Sequence, residues 1–129
     1  MRVKLWGTRG SLTTPKSPAE IEARTREILY GFLNSGGNQL SDVEPYLRTL
    51  TPCHFGGFGG ETICVEVSTK QQQIVIDSGS GIRLLGYELM KGKCSQGQGE
   101  LHLFYTHFHW DHLAGLPFFV PLFVPGNKI

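Results

Sequence analysis

Two short alternating runs, Ile63-Cys64-Val65-Glu66-Val67 and Gln73-Ile74-Val75-Ile76, flank a polar stretch in which Lys70-Gln71 is the natural turn. Alternation at period two is the signature of a half-buried strand, so residues 62–77 are predicted to form a hairpin that ends at Asp77. The hairpin commits the chain to a sheet, and the other segments are read as what surrounds it. Arg2 to Trp6 also alternates, giving an opening strand that runs into the glycine-punctuated turn Gly7-Thr8-Arg9-Gly10-Ser11. After Ser78-Gly79-Ser80-Gly81 the spacing predicts a helix over Ile82 to Met90, closed near Gly92. Lys93 to Gly99 follows as a polar surface loop, and Leu101 to Tyr105 as a short apolar strand buried on at least one face. Strands with helices between them indicate a layered α/β or α+β domain, with residues 1–129 as one globular unit.

Two further helices are expected. Ser17-Pro18-Ala19-Glu20 combines an N-cap, a first-turn proline and a capping-box glutamate. Ile21, Thr25, Ile28, Leu29, Phe32 and Leu33 then recur at helical spacing until Gly36-Gly37, with the charges on a solvated face. A shorter helix starts at Ser41, with Glu44 as its capping partner, and runs towards Leu50, although Pro45 works against it. Thr51 to Gly60, "TPCHFGGFGG", is a loop or a set of tight turns. It is no dinucleotide fingerprint, because it leads into a strand rather than a helix.

Charge and cysteine usage exclude several classes. With 12 basic and 11 acidic residues spread along the chain, the net charge of +1 gives no footprint for duplex nucleic acid or an anionic membrane. Cys53, Cys64 and Cys94 are odd in number and widely spaced, which fits reduced thiols and a cytoplasmic protein rather than a disulfide framework. The N-terminus lacks the apolar run of a signal peptide. Leu113 to Val124 is apolar, but it is shorter than the roughly 20 residues that span a bilayer, and it is interrupted by Pro117 and Pro121. Phe118, Phe119, Val120, Leu122, Phe123 and Val124 have only Pro125 to Ile129 after them as cover. A second copy or a partner chain is therefore expected to cover this segment.

The chemistry is concentrated in "YTHFHWDHLAG", where His107, His109, Asp111 and His112 occupy six positions. On a helix these four would scatter around the axis, since only residues three or four apart share a face. In an extended segment leaving a strand, 107, 109 and 111 point the same way, and a turn brings His112 round beside them. Three imidazoles and a carboxylate are donors that zinc and similar first-row ions accept. Satisfied surface histidines are the plain alternative, and a packing role does not explain four alternating donors at a strand end.

"THFHWDH" resembles the His-x-His-x-Asp-His signature of the metallo-β-lactamase superfamily. "WGTRGS", "GGETICVEV" and "IDSGSGIRLLG" are similar to the opening strand, hairpin and strand-end aspartate of the branch that includes cyclic-nucleotide phosphodiesterases and tRNA 3′-processing nucleases. Glu61 departs from that pattern, standing where an asparagine is expected. The resemblance covers most of the chain outside residues 12–55. It implies an αββα sandwich holding two metals, of which this chain would form the N-terminal half, one mixed sheet with flanking helices. His107 and His109 would ligate the first ion, Asp111 and His112 the second, and Asp77 would orient a ligand histidine, unless it is simply a turn residue. Zinc is the expected metal, with manganese or iron(II) as alternatives. The implied activity is hydrolysis of a small-molecule or nucleotide phosphodiester by a metal-bound hydroxide, which Asp111 would orient.

Two catalytic zincs want about six protein contacts, and the cluster supplies four. His102, five residues before His107, would face the opposite way in a continuous strand, and His54 in the glycine-rich loop is only an outside alternative. The expectation is a metal-dependent hydrolase whose remaining ligands lie beyond this chain. The alternatives are a non-catalytic metal-binding fragment or subunit completed by a partner chain, and a structural α/β domain with an unmetallated cluster.

Overall fold

The alternating runs form strands because their β-branched side chains pack on a pleated surface. In the computed structural model, which describes residues 1–56 and 59–129, β1 (Arg2–Gly7), β2 (Cys64–Ser68), β3 (Gln73–Ile76) and β4 (His102–Phe104) make one four-stranded sheet in the order β1-β2-β3-β4. The β1-β2 and β2-β3 pairs are antiparallel and β3-β4 is parallel, so the sheet is mixed. The expected hairpin closes through a Thr69–Gln72 turn, with the Thr69 N–H donating to the Gln72 carbonyl at 2.9 Å. A parallel pair needs a crossover, and the segment between β3 and β4, with α3 (Ile82–Leu89) inside it, provides one.

The chain divides into two compact units. The first comprises residues 1–14 and 59–129, and the second residues 15–58. In the first unit Cys64, Val75, Leu101, Ile82, Leu85 and Phe119 form the buried core, with Trp6, Leu89 and Leu103 packed against it. Register places Lys4, Glu66, Val75 and Leu103 across one face of the sheet, the side on which this core forms. The Glu66 side chain is buried there, its oxygens accepting from Trp6 Nε1 at 2.9 Å and Gln73 Nε2 at 3.1 Å. Burying a side chain the size of Leu85 is worth about 1.5–3 kcal/mol relative to leaving it exposed.

The apolar C-terminal segment does not remain wholly uncovered. Phe119 is fully buried and Pro121 with it. A Cβ added at Gly86 on α3 would meet the Phe119 ring at 3.0 Å and Pro121 Cδ at 3.2 Å, so glycine lets the short turns Leu116–Phe118 and Val120–Phe123 pack closely on the helix. Phe118, Leu122 and Phe123 stay exposed. Lys93 to Gly99 is likewise more than a surface loop. Cys94 and Gly99 are buried, and the Asn127 side chain ties the stretch down by donating to the Cys94 carbonyl and accepting from the Gly99 N–H.

In the second unit α1 (Pro18–Asn34) starts as expected, with both bonds of the Ser17–Glu20 capping box present; such a cap contributes about 1 kcal/mol. The helix α2 (Val43–Thr49) forms, but Ser41 is not its cap. A 3-10 turn over Leu40–Asp42 precedes it, and the Asp42 carboxylate accepts the Asn38 and Gln39 N–H groups instead. The Phe32 and Tyr46 rings meet edge-on at 5.6 Å. Of the glycine-rich loop, Pro52–Phe55 is a 3-10 turn, Gly56 and Gly59 have positive φ, and residues 57 and 58 lie outside the described residues. No helix among the described residues is long and apolar enough to cross a membrane.

Candidate metal centre

The parallel β3-β4 pair brings the ends of two strands side by side, and both ends carry polar residues. The Asp77 N–H donates to the Phe104 carbonyl at 2.8 Å and turns the chain with φ of +62°, a conformation that aspartate tolerates better than most residues. The next residues anchor the far side. The Ser78 N–H donates to the His112 carbonyl at 2.8 Å, and Ser78 Oγ lies 2.9 Å from the Tyr105 hydroxyl. A Cβ at Gly79 would sit 2.3 Å from the Asp111 carbonyl, so only glycine allows the Asp77–Gly81 turn to lie against the histidine segment.

The segment leaves β4, bends at Thr106, is extended at His109 and then enters the single turn α4 (Trp110–Leu113). That change of period brings His112 back beside His107. Their ring centroids are 3.9 Å apart, and those of His107 and His109 are 4.6 Å apart. His112 Nδ1 is 2.9 Å from Asp77 Oδ2, and its Nε2 is 3.6 Å from Asp111 Oδ2. The Asp111 carboxylate in turn accepts the Ser11 N–H at 2.9 Å, from a residue with φ of +67° in the turn after β1. His107 and His109 are exposed, and Asp111 and His112 are partly buried.

Asp77 is almost fully buried. Burial alone would raise its pKa, but the Thr106 backbone N–H, the Thr106 hydroxyl and His112 outweigh that and hold the carboxyl below its ordinary value. Asp111 is also held low, chiefly by the Ser11 N–H and, after the opposing effect of burial, by its own backbone and the neighbouring histidines. Both groups therefore enter the cluster as carboxylates.

Glu61, where the resemblance calls for asparagine, works as a bracket. Its carbonyl accepts the Thr8 and Arg9 N–H groups at 3.1 and 3.0 Å, and its carboxylate accepts Arg83 Nη2 at 2.9 Å and the Ser80 hydroxyl. It thereby joins the turn after β1 to α3. Ser11 and Thr106 are the site residues that sequence reasoning did not single out. Ser11 contributes only its backbone, which leaves no residue-type signal. Thr106 directly precedes the histidine motif, and that adjacency was the available clue.

His102 lies on β4, in register with Ile74, and is exposed rather than turned to the cluster. His54 belongs to the second unit, where its Nδ1 closes a turn against Thr51. The four motif residues are thus neighbours, yet among the described residues no three His, Cys, Asp or Glu side chains surround a common point as a metal cage. The donor chemistry nevertheless fits a zinc-type ion. Two donors on one tetrahedral zinc lie roughly 3.3 Å apart, close to the His112–Asp111 separation of 3.6 Å. No protein-family model matches the chain, and no match was found among the curated proteins or the solved structures.

Proposed function

We propose that this chain carries part of the two-metal centre of a hydrolase of the metallo-β-lactamase superfamily, with phosphodiesters as its substrate class. In this reading His107 and His109 hold one ion, Asp111 and His112 hold the other, and Asp77 orients His112. Zinc is the expected metal, with manganese or iron(II) as alternatives. The observation that carries the reading is the line Asp77–His112–Asp111. A buried carboxylate takes one ring nitrogen of His112, which is how metal-ligating histidines are commonly oriented, and the other nitrogen lies 3.6 Å from Asp111 Oδ2.

When bound, such ions acidify water towards a pKa of roughly 7 and neutralise charge that develops on oxygen. The chain's own residues do the rest. Asp77 and Thr106 fix the histidine rings, the Ser11 N–H aims Asp111, and Asp111 is placed to accept a hydrogen bond from the attacking water. The near-neutral chain offers no extended basic track, so recognition of an anionic substrate falls to the centre itself. The fold proposed for the complete domain is the αββα sandwich, supported by a mixed sheet that has α3 on one face and an apolar surface on the other. Ligands beyond these four would come from outside residues 1–129. The three free cysteines fit a cytoplasmic setting.

The test pairs metal analysis with turnover. Protein purified under mild conditions is expected to retain zinc. The product of the complete reading frame is expected to hydrolyse bis(p-nitrophenyl) phosphate with zinc or manganese, and to lose that activity on His109→Ala. Zinc at a small fraction of an equivalent, with no turnover, would sink the reading. The lack of a three-donor cage among the described residues favours one alternative, a non-catalytic metal-binding subunit completed by a partner chain or a second copy. That alternative predicts bound zinc without turnover.

A further inference from the structure

Thr106 sits between β4 and the first histidine, and four hydrogen-bond contacts converge on it. Its backbone N–H donates to Asp77 Oδ1 at 2.9 Å, and its hydroxyl donates to Asp77 Oδ2 at 2.8 Å. The same oxygen, Oγ1, lies 3.1 Å from His107 Nδ1 and 3.3 Å from His112 Nδ1. A threonine hydroxyl has a single proton and two acceptor lone pairs, whereas a carboxylate can only accept. Once that proton is committed to Asp77, Oγ1 has only lone pairs to offer the two rings. Each nitrogen facing it must then be the one that carries hydrogen.

We infer that Thr106 is a positioning residue that sets the tautomer of His107, and with Asp77 that of His112, so that both rings carry their proton on Nδ1 and present a bare Nε2. The inference rests on the metal-centre reading for its purpose but not for its geometry. In water a neutral imidazole favours the proton on Nε2, the opposite arrangement, so an unheld ring would offer the wrong nitrogen at that position. For His112 the Asp77 carboxylate at 2.9 Å is a second acceptor, and the ring keeps its tautomer with either partner. For His107 the only ring-nitrogen hydrogen bond described is the one to Thr106, so the dependence falls mainly on His107. The two imidazoles, with centroids 3.9 Å apart, would thus be prepared as nitrogen donors by the Thr106 hydroxyl together with the Asp77 carboxylate.

The experiment is a long-range proton–nitrogen NMR spectrum of the histidine rings in the full chain, kept metal-free with chelator. It is recorded at about pH 8, above the ordinary histidine pKa of roughly 6.5. In the wild-type chain His107 and His112 are expected to show the Nδ1–H pattern. Thr106→Val keeps the shape but removes the hydroxyl, and should move His107 to the Nε2–H pattern while His112 stays. Thr106→Ser should restore the wild-type pattern. An Nε2–H tautomer at His107 in the wild type would overturn the inference, as would an unchanged pattern in a folded Thr106→Val. If the valine variant does not fold, the wild-type and serine spectra still decide the tautomer. Zinc titration provides the separate arm, where loss of an orienting partner is expected to cost about 10–100-fold in affinity, recovered by serine. A Thr106-dependent tautomer in a chain that takes up no zinc would uphold this inference and sink the metal reading. Zinc uptake indifferent to Thr106, with unchanged tautomers, would do the reverse.

Discussion

The two faces of the sheet differ in composition and in fate, the one that carries Lys4 and Glu66 being covered and the more apolar one left open. On one face Cys64, Val75 and Leu103 meet Ile82 and Leu85 of α3 and the Phe119 ring, and most of this surface is removed from water. On the other, register aligns Val3, Val67, Ile74 and His102 in one row and Leu5, Val65, Ile76 and Phe104 in the next. Val3, Leu5 and Phe104, on the edge strands, are more than half exposed, and the side chains of the central strands between them are partly buried. A sheet face with an apolar row of this kind is ordinarily packed against another layer. The difference separates what alternation encodes from what packing delivers. Each strand can specify an apolar face, but coverage depends on a layer arriving there.

The largest expected effect comes from the covered face. Phe119→Ala should cost about 3–5 kcal/mol in urea unfolding, because it empties a site that α3 closes over. A cost within about 1 kcal/mol would mean that the C-terminal turns are not part of this core and that the two faces are more alike than they look. Next is Asp77→Asn, at the strand end where the sheet meets the histidine cluster. It disturbs a buried carboxylate with three donors, and a loss of about 1–3 kcal/mol is expected in the same assay.

Cys64 sharpens the comparison through pH. Burial, with smaller contributions from Glu66 and Asp77, pushes its thiol from 9.0 up to about 12. The folded state therefore favours the protonated form. That contribution is fully present below pH 9 and is lost as pH rises towards 12. Cys64→Ala should flatten the alkaline part of the stability curve, and an unchanged slope would place the thiol in contact with water. Iodoacetamide near neutral pH should label the exposed Cys53 and leave Cys64 and Cys94 intact unless the protein is unfolded, as peptide mass mapping would show. The smallest effect is expected on the open face. Leu5→Asn should change stability by no more than about 0.5 kcal/mol while reducing self-association in sedimentation velocity. A loss comparable to that of Phe119→Ala would show that this face is covered.

Much of the fold was legible because its signals are local. Period-two alternation located β2 and β3 to within a residue, and Ser17, Pro18 and Glu20 announced the start of α1. Where two local signals competed, reading by residue type failed. Ser41 looked like the cap of α2, yet Asp42, one residue on, reaches the free N–H groups of Asn38 and Gln39. The burial of Phe119 and of Cys94 was not legible, since each depends on a partner distant in sequence, Gly86 for one and Asn127 for the other. At the candidate site the four donors and Asp77 were visible as residue types in a pattern. Thr106 and Ser11 were not, because their part is a hydrogen bond across the parallel strand pair or from a backbone amide.

By itself, then, the sequence determined the chemistry available at the end of β4 and the strands and helices that lead to it, because donor type, periodicity and caps are properties of neighbouring residues. Only the tertiary structure decided that β3 and β4 run parallel, so that Asp77 lies beside Thr106 and His112, and that one apolar face of the sheet is covered while the other is open. Those outcomes depend on which distant segments meet, and neither residue type nor spacing along the chain encodes that meeting directly.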